Sequence, residues 1–292
     1  MGSCFAENMG DKLAYFKFQN TTNPFGIIFN PVSIEKLIER VVLERYFTKE
    51  DVFFFNERWH SFELHSDLSH SDPEVMVQYL NQILLETKQQ LLEATHIMIT
   101  YGTSWVYRHI ESNVIVANCH KVPQKQFSKE LLSMETIQKS VQNTVDLIQK
   151  YHPKCNFIFT VSPVRHLKDG FVENQVSKAH LIAAIYSTTN TKQQTLNYFP
   201  SYEIMMDEFR DYRFYADDMV HPSALAIDFI WERFVGALVS ENAYPTMELV
   251  ASIQKGLAHR PFNMYSESHQ KFERHLKEKI AKLVAHYSFM KF

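Results

Sequence analysis

Apolar residues recur along the chain in two alternating patterns, and these mark out its elements. From Pro31 to Tyr46, Val32, Ile34, Leu37, Ile38, Val41 and Val42 fall at helical spacing, with Ser33 near the start. Asp72-Pro73 opens a second helix running to about Glu93, with proline suited to the first turn. Helical spacing also predicts Lys129 to Tyr151, Gln175 to Thr188 and Pro222 to Val239. Between these lie short apolar runs that read as buried strands: His96 to Thr100, ending at Tyr101-Gly102, and Cys155 to Val161, ending at Ser162-Pro163. A third strand is expected within Leu196 to Met206. Asp51 to Leu64 reads as a strand pair turning at Asn56-Glu57, and Ala6 to Phe18 as a helix running into a short strand.

Strands alternating with helices of this length predict an α/β sheet covered by helices on both faces. Active groups in such sheets gather in loops at the carboxyl ends of the strands. Ser3, Gly102, Ser162 and His221 all fall at such places.

The character changes after about residue 243. Residues 251–292 hold eight Lys or Arg against three Asp or Glu, and Glu267 to Tyr287 reads as a helix with a basic face. The expected organisation is a domain over 1–242 and a helical extension over 243–292 packed on it. A solvated helix face explains the basic stripe better than an interaction arm.

Composition narrows the class. The chain has 292 residues, 45% hydrophobic and 22% charged, with a formal charge of −3. These values give no ground for a nucleic-acid partner or an anionic membrane surface. No apolar run approaches the roughly 20 residues of a membrane span. Three cysteines, Cys4, Cys119 and Cys155, argue against a disulfide framework and for a reducing compartment, with cytoplasm the default. The start lacks the pattern of a secretory signal. His60, His65 and His70 recur every five residues, which matches neither a helix face nor a zinc pattern.

Candidate chemistry sits at the two ends. Ser3 follows Gly2, and Asp218-Met219-Val220-His221-Pro222-Ser223 lies far downstream. Three residues apart in a turn, Asp218 can orient the His221 ring, and Ser3 can be the nucleophile that the ring activates. Helix capping by Asp217, Asp218 or Ser223 is the competing explanation of the second motif. Glycine is scarce, with seven in the chain, so Gly2, Gly26 and Gly102 mark turns or close backbone approaches. Arg165-His166 follows a buried strand and lies either over the site or on the surface. Trp59, Trp105 and Tyr107 fit a sugar-binding wall or ordinary core packing. Cysteine chemistry at Cys4 is a weaker alternative, since no base stands at the right spacing.

Gly2-Ser3-Cys4-Phe5-Ala6 resembles the signature of the GSCFA family, which is similar to the SGNH (GDSL-like) hydrolases. The resemblance extends over Asn23-Pro24-Phe25-Gly26-Ile27, Phe29-Asn30-Pro31, Tyr101 to Tyr107 and Asn118-Cys119-His120-Lys121. It continues through Thr160 to His166, Tyr198 to Glu203 and Asp217 to Ser223. It implies a three-layer α/β/α, flavodoxin-like domain acting on ester or acyl substrates, including acylated carbohydrates, without metal or cofactor. Ser3 is then the nucleophile, His221 the base and Asp218 its orienting acid. The N–H groups of Ser3 and Gly26 help bind the oxyanion, and Gly102, Arg165 and His166 line the site.

The chain departs from that pattern in two ways. The wider group has Gly-x-Asn-Asp where this chain has Gly102-Thr103-Ser104-Trp105, so a hydroxyl of Thr103 or Ser104 stands in for the amide donor. Loss of one such donor costs about 3 kcal/mol of transition-state stabilisation. The nucleophile of this fold also follows an interior first strand, and only Met1 and Gly2 precede Ser3. The expectation is a sheet lacking its first strand. A non-catalytic acyl- or carbohydrate-binding module on the same fold is the alternative reading.

Overall fold

The computed structural model describes residues 1–190 and 195–292. The chain divides into two compact units, one of Met1–Glu7 with Thr22–Ile230 and one of Asn8–Thr21 with Trp231–Phe292. Each has its own core, and residues 8–21 fall with the C-terminal part.

The first unit is mixed α/β. Its centre is a parallel sheet of β3 (His96–Tyr101), β7 (Asn156–Val161) and β8 (Leu196–Phe199), in the order β3-β7-β8. Thr100 registers with Thr160 and Tyr101 with Val161, so β3 and β7 end level. Both strands are apolar on alternate and intervening positions alike because the sheet is buried. Tyr101, Phe159 and Phe157 stack in a row along one side, with centroids 6.2 and 5.9 Å apart. Gly2 forms a single parallel bridge with Thr100, so Met1 to Ser3 run along the far edge of β3.

Four helices pack around this centre: α2 (Pro31–Val42), α3 (Pro73–Glu93), α4 (Met134–Tyr151) and α5 (Phe171–Thr189). Their starts are set locally. Asn30 caps α2 through Ser33 N–H at 2.9 Å, Asp72 caps α3 through Val75 N–H at 3.0 Å, and Ser133 caps α4 through Thr136 N–H at 3.2 Å. Each cap satisfies an N–H that the first turn cannot.

The hairpin β1 (Phe53–Phe55) and β2 (Arg58–His60) turns at Asn56 and Glu57 as expected. Both turn residues have positive φ, which matches the twist of the flanking strands. A second sheet was not expected. β4 (Trp105–His109), β5 (Val114–Val116) and β6 (Phe127–Leu131) form an antiparallel sheet in the order β5-β4-β6. The predicted helix over Lys129 to Tyr151 is therefore corrected at its start, where residues 129–131 pair with β4. The strand expected within Leu196 to Met206 is β8, which ends at Phe199. Pro200 cannot donate to the ladder, and the helical turn α6 (Ser201–Glu203) follows.

A compact histidine pair links these parts. The His60 and His120 rings lie 4.7 Å apart. His60 bonds Ser69 Oγ at 2.6 Å and Phe55 O at 3.0 Å; His120 bonds Ser66 Oγ at 3.1 Å and Ser61 O at 2.6 Å. His65 and His70 instead serve local turns. Among the described residues no group of three His, Cys, Asp or Glu stands ready to hold a metal.

In the second unit, α1 (Cys4–Tyr15) contributes its later turns, and α7 (Ala224–Leu238) its C-terminal half. No strand follows α1, contrary to expectation. Helix α8 (Tyr244–Leu257) was not anticipated, whereas α9 (Glu267–His286) falls where the basic helix was predicted. Val250, Ile253, Leu283 and Met290 form this unit's core. No helix among the described residues is long and apolar enough to cross a membrane.

Candidate active site

The Asp218 and His221 turn has the geometry of a base and its orienting acid. Asp218 Oδ2 lies 2.6 Å from His221 Nδ1, while Asp218 Oδ1 accepts the N–H groups of Val220 and His221 at 2.9 Å each. These backbone donors, followed by the imidazole, hold the Asp218 carboxyl down to about 2. Met219, between them, sits at φ +59°, a left-handed conformation unusual for its type. The turn is anchored from outside. Arg165 N–H donates to Val220 O at 3.1 Å, its guanidinium bonds Met219 O, and it lies 4.4 Å over the Tyr215 ring. The ring of His221 is about half exposed, with 47% of its side chain open to solvent. Capping also occurs, but through Ser223, whose Oγ accepts the Ala226 N–H of α7 at 3.3 Å.

Ser3 stands at the start of α1, where the helix dipole is positive. Its N–H donates to Thr100 O at 3.1 Å, which fixes it at the carboxyl end of β3. Arg165 and His166 follow the carboxyl end of β7, the adjacent strand. Ser3 thus stands at the carboxyl end of β3, and the Asp218–His221 turn is tied through Arg165 to the segment that follows β7, with the line of Gly2 and that of β7 two strand spacings, about 10 Å, apart. Ser3 Oγ is closed to solvent and makes no hydrogen bond, so the link from Ser3 to His221 is not made in this conformation.

The expected oxyanion donors are otherwise employed. Gly26 N–H closes a turn on Asn23 O at 2.8 Å, and Gly102 N–H bonds Phe29 O at 2.8 Å. Gly26 has φ +75°, and a Cβ there would lie 2.3 Å from that of His65, so glycine is needed for the turn itself. Ser104 Oγ donates to Ser177 O at 2.6 Å, and Thr103 Oγ1 sits between Ser177 Oγ at 2.8 Å and the Trp105 N–H at 3.0 Å. These hydroxyls lock the turn after β3 onto α5. Trp105 and Tyr107 are half-buried, and each has a cation over its ring. Lys129 Nζ lies 5.0 and 5.9 Å over them and pairs with Asp169. Trp59 packs on Phe54.

His166 is poised beside this edge. Its N–H donates to Asn174 Oδ1 at 2.8 Å, its ring lies 5.8 Å from Phe29, and its Nε2 is buried without a partner. Burial first, and then the charge of Lys178, bring its imidazole down to about 4.

The residues that sequence reasoning missed lie on one stripe of α5. Asn174, Ser177 and Lys178, each about 2% exposed or less, occupy the same face as Leu181, Ala184 and Ile185. Lys178 Nζ donates to Gly102 O and Ser162 O, 2.7 Å each. A polar stretch continuing an apolar stripe was the available signal. The helix starts at Phe171, ahead of the Gln175 expected, and so takes in Asn174.

A mixed α/β unit with an acid–histidine pair and a helix-start serine at one edge of a parallel sheet defines a candidate serine-dependent site. The model of the GSCFA family matches residues 1–234, and that of the GSCFA domain protein, C-terminal domain, matches residues 250–292. The chain belongs to the GSCFA family. Comparison with curated proteins gives no match.

Proposed function

We propose that this protein is a serine-dependent hydrolase of ester bonds, an esterase or acyl-transferase of the SGNH type on a three-layer flavodoxin-like sheet. Ser3 Oγ attacks the acyl carbonyl as His221 Nε2 takes its proton. Asp218 keeps Nδ1–H pointed at itself and balances the imidazolium. The positive end of α1 stabilises the oxyanion. Collapse expels the alcohol with the proton from His221, and water or a second hydroxyl then releases the acyl group. An acylated carbohydrate suits this chemistry as substrate. The reading needs neither metal nor cofactor for any of these steps.

The observation that carries the reading is the 2.6 Å contact between Asp218 Oδ2 and His221 Nδ1, with Oδ1 held by two amides and the ring left half exposed. A purely capping aspartate needs no imidazole on its second oxygen. The test is a fluorophosphonate probe. It should label Ser3, and both Ser3→Ala and His221→Ala should abolish the labelling. Absence of labelling, or labelling that survives Ser3→Ala, overturns the proposal.

A second reading is favoured by the closed Ser3 Oγ and the committed N–H groups of Ser3 and Gly26. On it, the chain is an acyl- or carbohydrate-binding module without turnover. It requires that Ser3→Ala leave ligand binding unchanged and that no ester in a broad panel be hydrolysed.

A further inference from the structure

Lys178 is 1% exposed, and its hydrogen-bond partners are two main-chain carbonyls rather than a carboxylate. Taking an ammonium out of water costs several kcal/mol even after relaxation. A methionine of similar length would fill the space without that cost. What methionine cannot do is bind two carbonyl oxygens at once. Those oxygens belong to Gly102 and Ser162, the first residues beyond β3 and β7, where the parallel ladder ends and its acceptors lose their partners.

The consequences reach both halves of the candidate site. Gly102 is tied on its other side to Phe29, whose ring adjoins His166. Ser162 begins the segment carrying Arg165 and His166, and Arg165 anchors the Met219–His221 turn. Around the ammonium stand Cys4 from α1, His166 from the loop after β7, and Glu203 and the Tyr202 ring from α6, the ring at 5.2 Å. Burial, partly offset by Cys4 and Glu203, brings the amine down to about 7.

We propose that Lys178 is the positioning residue of this site, its buried ammonium clamping the carboxyl ends of β3 and β7 and so holding the His166 segment in register with Ser3. The clamp is a matter of geometry; its catalytic consequence rests on the serine-hydrolase reading.

The test uses Lys178→Met in the full chain, with NMR titration of the His166 imidazole, the carbonyl-carbon shifts of Gly102 and Ser162, and the rate of fluorophosphonate labelling. The clamp predicts that the His166 pKa rises once its positive neighbour is gone, that both carbonyl shifts move, and that labelling slows at least tenfold. Gly102 and Ser162 carbonyl shifts equal to those of the wild type overturn it whatever His166 does, since loss of the charge alone moves the His166 titration. Should the variant not fold, the wild type decides with labelled lysine. There the Gly102 and Ser162 carbonyl shifts must follow the Lys178 Cε titration, and flat shifts overturn the clamp. If wild-type Ser3 is never labelled, the hydrolase reading falls while the NMR result still decides the role of Lys178.

Discussion

Replacing Gly2 by alanine should detach the nucleophile from the sheet. Gly2 lies at φ +138°, and a Cβ there would meet Thr100 O at 2.2 Å, with the Thr100 N and C atoms at 2.8 and 2.9 Å. Backbone atoms at that range cannot give way as a flexible side chain can. Keeping alanine in place would cost about 1–3 kcal/mol of backbone strain besides the overlap. The alternative is release of residues 1–3. That gives up Thr100 N–H to Met1 O at 3.0 Å, Ser3 N–H to Thr100 O at 3.1 Å, Ile28 N–H to Gly2 O at 3.2 Å, the Met1 ammonium to Met98 O at 2.7 Å and Gly2 N–H to Asn23 Oδ1 at 2.8 Å. At about 1 kcal/mol each, the five sum to about 5 kcal/mol. Strain together with a main-chain overlap at 2.2 Å outweighs that sum, so release is the expected response and the docked state becomes the minor one. Hydrogen exchange at the Thr100 and Ile28 amides reads the release directly, and fluorophosphonate labelling of Ser3 reads its effect. Gly236→Ala is the control. It lies inside α7 with nothing within 4 Å of the added carbon, so it should raise stability by about 0.5–1 kcal/mol. Wild-type protection at Thr100 and Ile28 in Gly2→Ala, with unchanged labelling, would refute the reasoning.

Three further outcomes are expected. Asp218→Asn should keep the fold and slow Ser3 labelling by several orders of magnitude, because an amide cannot hold the Nδ1–H tautomer or balance the imidazolium; equal rates by probe kinetics would contradict this. Burial brings His120 down to about 4 from an ordinary 6.5, so the unfolded chain takes up its proton first. Its contribution of roughly 3 kcal/mol is present above pH 6.5 and lost as pH falls from 6.5 to 4, and its NMR ring signals should stay neutral at pH 5.5. Arg40 binds Glu63 through two nitrogens at 2.8 and 3.1 Å, bonds Asp51 at 2.8 Å and covers the Phe47 ring, with its side chain only 13% exposed. Arg40→Met should cost roughly 3 kcal/mol in urea unfolding, by leaving Asp51 without its cation and Glu63 with Lys36 alone, while Ser3 labelling of the folded variant stays unchanged.

Local signals made much of this legible. Asn30-Pro31, Asp72-Pro73 and the Asn56-Glu57 turn act through neighbours a few residues away, and the two helices and the hairpin they open appear. What failed was of a different kind. Residues 129–131 read as helix because they precede a helical pattern, yet β4 pairs with them across a turn that nothing local announces. The Asp218 and His221 contact was readable because both partners lie in one turn. The engagement of Thr103 and Ser104 by Ser177, and of Gly102 by Lys178, was not, since each depends on where α5 lies over the sheet. A buried lysine in particular defies composition: its residue type says surface although its place on the stripe says core, and the two carbonyls it meets explain its burial.

The antiparallel sheet and α4 occupy the stretch from Gly102 to Cys155, between two strands that must lie side by side. On the ribosome, β3 therefore emerges long before its neighbour β7 exists. The β5-β4-β6 sheet closes over short range and can form while synthesis continues, but the central ladder must wait for the distant segment. A nascent chain stalled before Asn156 would carry a finished side lobe beside an apolar strand with a bare margin, the state in which a chaperone or an unwanted neighbour would first find it.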